Sequence, residues 1–167
     1  MILYPTNALV EDQMTRLRRA IRKIGQASPA RPIWFGRYTG VSLGSTKVQK
    51  PGSPQFDDVV RDLRQQVTEY DELVLSGKTE DDLSQFPDPR KHELVVRWDM
   101  VATPPDILVT NYSMLNAILM REHEDRIFES TRAWLDASSD NVFTLVVDEL
   151  HLYRGTQGDL AALRAAV

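Results

Sequence analysis

A chain of 167 residues with 42% hydrophobic and 26% charged residues has the size and balance of one soluble globular domain with a single core. It has no run of about 18 apolar residues, which excludes a membrane-spanning class, and no cysteine, which excludes disulfide frameworks and thiolate metal sites. The net charge of −4 hides an asymmetry: residues 1–50 hold nine Lys/Arg against two Asp/Glu, so the first third is the part suited to a phosphate backbone, unless Arg16, Arg18, Arg19, Arg22 and Lys23 form only the solvated face of a helix.

Ile2 to Tyr4 reads as the end of a buried strand. The opening MILYPTNALVEDQ lacks the basic stretch, apolar stretch and small-residue cleavage site of a secretory leader, so a cytoplasmic setting is expected. Val10, Met14, Leu17, Ile21 and Ile24 then fall on one helical face. Thr6 or Asn7 can cap this helix, and Gly25 is expected to stop it. Ile33 to Phe35 reads as a short strand, and residues 40–54, rich in Gly, Ser, Lys and Pro, as a surface loop. Phe56, Val59, Val60, Leu63, Val67, Tyr70 and Val74 recur at helical spacing. Together with the polar run to Pro89 they suggest an inserted helix and loop over about residues 41–103. A shorter helix is expected from His92 to Val101, ended by Pro104-Pro105.

Asp106 to Thr110 reads as a strand, Asn111 as the cap of a helix running through Met120, and Ile127 to Leu135 as another amphipathic helix. Val142 to Val147 (VFTLVV) is nearly continuous apolar sequence, as in a central parallel strand covered on both faces. A last helix is expected from about Thr156. Strands alternating with helices imply an α/β fold with a doubly wound parallel sheet.

The segment LVVDELHLYRG, residues 145–155, delivers Asp148, Glu149 and His151 at the carboxyl end of an apolar strand, where open parallel sheets bind ligands. Two adjacent carboxylates there suit nucleotide hydrolysis: one holds Mg²⁺, usually through water, and the other positions the attacking water. The plain alternative is a strand ending in a charged turn. Thr6, Asn7, Thr110 and Asn111 combine small polar side chains with the free amides of helix N-termini, which suits phosphate oxygens and equally suits ordinary capping. His92 and His123 have no partners at metal-ligand spacing, and Trp34, Trp98 and Trp134 read as packing residues.

With these residues in view, the chain resembles the superfamily 2 DEAD/DEAH-box helicases. DELH, at residues 148–151, is similar to their motif II, YPTNAL at residues 4–9 to motif Ia, and TNYSML at residues 110–115 to motif Ib, in the family's order. RYTG at residues 37–40 resembles a further strand-contacting loop of large bacterial members, departing from it where Val41 and Ser42 follow. The segment at residues 151–159 is similar to the one after motif II in that subgroup.

The resemblance implies a RecA-like P-loop NTPase sheet with flanking helices, and a chain that is one part, residues 1–167, of the helicase ATP-binding domain. The parent would be an ATP-dependent helicase or translocase using ATP and Mg²⁺. Asp148 would bind the Mg²⁺ through water, Glu149 would activate water, and His151 would couple nucleotide state to the second RecA-like domain. Pro5, Thr6, Asn7, Thr39, Gly40, Thr110 and Asn111 would contact the backbone of DNA or RNA, with Arg154 as a further contact or an ion-pair partner. The sequence contains no GxxxxGK[ST]. The family's phosphate loop, whose amides and lysine cradle the nucleotide, would lie upstream, and the second RecA-like domain downstream. Alone, the chain is therefore expected to hydrolyse little ATP and, with the loop-bearing strand missing, to be marginally stable. Two rivals stand beside this: a non-catalytic module binding nucleic acid or a protein partner, and another Mg²⁺ enzyme, such as a nuclease, built on the Asp-Glu pair.

Overall fold

A computed structural model describes residues 1–27, 31–121, 124–149 and 151. Five strands, β1 (Ile2–Tyr4), β2 (Phe35–Tyr38), β3 (Glu93–Leu94), β4 (Ile107–Asn111) and β5 (Val146–Val147), alternate with six helices, α1 (Asn7–Ala27), α2 (Pro54–Leu75), α3 (Glu80–Leu83), α4 (Arg97–Ala102), α5 (Tyr112–Leu119) and α6 (Asp125–Ala137). The strands form one sheet in the order β3-β2-β4-β1-β5, and every pairing is parallel. The chain is thus α/β, with helices on both faces of a parallel sheet. Among the described residues no helix is long and apolar enough to cross a membrane.

Alternation along the strands splits the core in two. Ile2, Phe35 and Val109 face α1 and pack on Val10, Met14 and Leu17. Leu3, Tyr38 and Leu108 face the other way and meet Met100, Leu115, Ile118, Ile127 and Phe128 from α4, α5 and α6. The period of two along a strand and the helical spacing on the covering elements produce this sandwich directly. A third cluster, Val59, Val96 and Trp98 with Phe56 and Leu63, seats α2 against the segment around α4, and the Phe56 and Trp98 rings lie 6.3 Å apart and nearly parallel.

The starts of α1, α2 and α5 follow ordinary capping chemistry. Thr6 Oγ1 accepts from the Leu9 amide at 3.5 Å. Ser53 caps α2 by accepting from Phe56 N, with proline at the first position, and Asn111 caps α5 by accepting from Met114 N at 2.8 Å. Gly25 does not end α1, which runs on to Ala27. A Cβ at Gly25 would meet nothing within 4 Å, and a single glycine costs a long helix only about 1 kcal/mol relative to alanine.

Three further expectations shift. The span from His92 to Val101 is a strand followed by a helix: Glu93 and Leu94 pair with Phe35 and Gly36, and the β-branched Val96 stays extended as the residue before α4. The first-third strand lies at Phe35–Tyr38 and not at Ile33–Phe35, because its register with β4 runs from Phe35↔Ile107 to Tyr38↔Thr110. The apolar run from Val142 to Val147 contributes only two paired residues at the sheet's edge, with Val142 70% exposed. Its ladder is bounded by its partner: Val146 N and Asp148 N donate to Met1 O and Leu3 O of the three-residue β1. The helix expected from Thr156 lies outside the described residues.

Candidate functional site at the carboxyl ends of the strands

Register decides what shares an edge. Tyr4 is opposite Asn111, Leu3 opposite both Thr110 and Val147, and Tyr38 opposite Thr110. The segments leaving β1, β2, β4 and β5 therefore emerge side by side. They carry Pro5–Asn7, Thr39–Gly40, Asn111 and Asp148–Glu149.

The contacts within this row are specific. Asn111 Nδ2 donates to Asn7 Oδ1 at 2.5 Å, which joins the N-terminus of α1 to that of α5. Thr6, Asn7 and Gly40 are exposed and Pro5 is half-buried. Thr110 is fully buried, and its hydroxyl donates to the Tyr38 carbonyl at 2.6 Å, fastening β4 to β2. Thr39 is also fully buried, and its hydroxyl has no hydrogen-bond partner. Its amide donates to Ser42 Oγ at 3.0 Å, while that hydroxyl donates to the Arg37 carbonyl at 2.5 Å. Arg97 donates from Nη2 to the Gly40 carbonyl at 2.8 Å. The turn after β2 is thus pinned by its own serine and by an arginine of α4.

Asp148 is half-buried and Glu149 exposed. The Asp148 amide continues the ladder to Leu3 O at 3.0 Å. Glu149 then takes φ = 50°, a left-handed conformation that costs a residue with a Cβ about 1–2 kcal/mol. The Glu149 carboxylate is about half exposed, and its Oε2 lies 3.2 Å from His151 Nδ1. The Tyr4 phenol is held above its usual range by burial and by the negative charge of Asp148. No group of three or more His, Asp or Glu side chains poised to hold a metal occurs among the described residues. The Asp148 and Glu149 pair fits the one class of cation that takes one or two carboxylates and fills its remaining positions with water and substrate phosphates, namely Mg²⁺. Arg154 lies outside the described residues.

The basic first third is largely neutralised in place. Arg16, Arg18, Arg19, Arg22, Arg31 and Arg37 each meet an acid: Asp12, Glu93, Asp81, Glu80, Asp106 and Glu11 respectively. A cavity of about 550 Å³ lined by Ile2, Leu108, Trp134, Val142 and Phe143 sits at the opposite, amino end of the strands, away from the carboxylates. One further residue was not legible in the sequence. Glu124, which the sequence reading does not single out, is fully buried and accepts a hydrogen bond from the Tyr38 hydroxyl at 2.5 Å.

No protein-family model matches the chain, and no solved structure matches it. It is similar to Druantia protein DruE of Escherichia coli (strain UMEA 4076-1), with 33% identity over 205 aligned positions that take in 98% of this chain. The chain spans 11% of that protein's length.

Proposed function

We propose that this chain is part of the first RecA-like domain of a superfamily 2 DEAD/DEAH-box helicase or translocase, contributing Mg-ATP hydrolysis residues and nucleic-acid backbone contacts. The observation that carries the reading is the shared edge: the motif Ia, Ib and II segments leave three adjacent parallel strands on one row, where such sheets bind ligands. The similarity to a stretch of a far longer protein is in keeping with a part of a larger machine.

In this reading a bound Mg²⁺ supplies charge neutralisation at the nucleotide phosphates. Asp148, half-buried at the end of β5, would hold that ion through water. Glu149, exposed and left-handed at its backbone, would orient a water, with His151 3.2 Å from its carboxylate. Thr6, Asn7 and the amides opening α1 and α5 grip phosphate oxygens of a strand without reading bases. Gly40 adds a backbone contact from the turn after β2. With no GxxxxGK[ST] in the sequence, hydrolysis requires a phosphate-binding loop from elsewhere in the parent.

The test is fluorescence anisotropy of the full chain with labelled single-stranded DNA and RNA at several salt concentrations, alongside the Asn7→Asp variant. The expected outcome is sequence-independent binding that falls with salt and weakens in the variant, because a carboxylate would repel the phosphate. Binding equal in both proteins, or none in either, would overturn the strand-gripping role. Reading the encoding DNA upstream of Met1 in frame separates the enzyme from the binding module. A GxxxxGK[ST] within a few tens of codons supports the former, and its absence, with strand binding intact, the latter.

A further inference from the structure

Glu124 lies beside α6, away from the carboxylates at the end of β5. It is the residue preceding α6, where an acidic side chain ordinarily turns back to cap the helix amides. Here no capping bond forms. The side chain points into the core instead, fully buried, and Oε1 accepts from the Tyr38 hydroxyl at 2.5 Å. Arg121 Nη1 stands 3.8 Å from the same oxygen, and Oε2 has no hydrogen-bond partner. A carboxylate taken out of water with half its acceptors unused is costly. A phenylalanine facing an apolar side chain would fill the space more cheaply, so the pair's value lies in what it positions.

Tyr38 is the last residue of β2, held at three points. Its ring is locked by Glu124, its carbonyl accepts from Thr110 Oγ1 at 2.6 Å, and the turn it opens is closed by Ser42 and by Arg97 on the Gly40 carbonyl. Gly40 and Val41, at the tip, are exposed. We infer that Glu124 is a positioning residue: through Tyr38 it fixes the turn at residues 39–42 so that the tip stands in the row of strand-contacting segments. This rests on the strand-binding reading above. Glu124 touches no strand itself and acts only by ordering a loop whose amides would otherwise lose entropy on binding.

Two readouts test it on the full chain. Amide hydrogen exchange at residues 39–42 reports the turn without any nucleic acid, and anisotropy with a labelled single strand reports its use. Tyr38→Phe removes only the hydroxyl, and Glu124→Gln keeps an acceptor for it. Val10→Ala, on the opposite face of the sheet, serves as a control that lowers stability without touching the turn. In Tyr38→Phe, exchange in the turn is expected to rise roughly tenfold above any global change, and strand affinity to fall by a similar factor. Glu124→Gln should stay within about threefold of the parent chain in both. Should Glu124→Ala prove unable to fold, this pair of milder variants still decides the matter. Turn exchange in Tyr38→Phe that rises no more than in Val10→Ala would overturn the inference, as would strand binding unchanged despite a loosened turn. If the parent chain binds no strand, the strand-binding reading and this role for the turn fall together. A loosened turn in Tyr38→Phe would then still establish the Glu124 to Tyr38 contact as its brace.

Discussion

Glu149 is the one residue with a Cβ at positive φ among the described residues. At φ = 50° the residue occupies a region where a Cβ crowds the following carbonyl, and such outliers concentrate where a side chain must be aimed. Glycine removes the crowding and alanine does not. Glu149→Gly is therefore expected to be more stable than Glu149→Ala by about 1 kcal/mol in urea unfolding. Equal stabilities would show that the turn relaxes in solution. Arg18 makes the opposite point about charge. It lies on the face that the sequence presents as solvated, yet it forks onto Glu93 with two bonds of 2.7 Å, and both side chains are less than a tenth exposed. Arg18→Met strands the Glu93 carboxylate in the core and should cost about 3–5 kcal/mol. Adding Glu93→Leu should recover most of that loss, and a double variant as unstable as the single one would contradict the account. Nothing in the local pattern around Arg18 announces a partner 75 residues away. The sequence singles out Asp148 and Glu149 by the order DELH behind an apolar run, whereas Glu124 has no such signature.

Among the elements, the helices α1, α2, α5 and α6 and the strands β1 and β4 were legible. α1, α2 and α6 each run for three turns or more, long enough for apolar residues to recur on one face. β3, at two residues, is too short to display any period; β5 was legible as a strand in the apolar run from Val142 to Val147 but not in its length, since only Val146 and Val147 pair. The start of α2 depends on a side chain: Ser53→Ala removes the acceptor for Phe56 N and should cost about 1 kcal/mol, read as a lower melting midpoint with an unchanged fold. The meeting of β2 and β3 depends on the absence of one. A Cβ at Gly36 would stand 2.6 Å from Met100 Sδ and 2.9 Å from the Leu94 carbonyl. Methionine can move, but the carbonyl belongs to the ladder. Gly36→Ala should therefore destabilise by about 1–3 kcal/mol, with the loss of protection in hydrogen exchange concentrated at Glu93 and Leu94. An effect spread evenly over the sheet would speak against that local origin.

At the scale of the molecule, the parallel sheet followed from the alternation of strands and helices, but its order did not, because hydrophobic patterning names faces and not neighbours. The charge asymmetry was also visible, though not its cancellation. Six arginines of the first third are committed to acids, several of them contributed by residues 80–106. Lys23, Lys47 and Lys50 remain exposed and make no ion pair among the described residues. If three lysines supply the counterion release, binding to single strands should vary as salt with a log-log slope of about −2. A slope near −6 would mean that the arginine pairs open on binding.

The sheet order also governs the chain as it is being made. β1 is synthesised before either of its neighbours, and the nearer in sequence, β4, pairs Val109 with Ile2. At about 5–20 residues per second, roughly 5–20 s separate the two. Throughout that interval Leu3, fully buried in the finished fold, lacks the β4 neighbour it pairs beside, and β5 comes later still. β1 thus meets these two sheet partners only after β2, β3 and the intervening helices have been made. Slowing elongation between residues 60 and 105 should lower the yield of folded chain more than the same pause placed after residue 150.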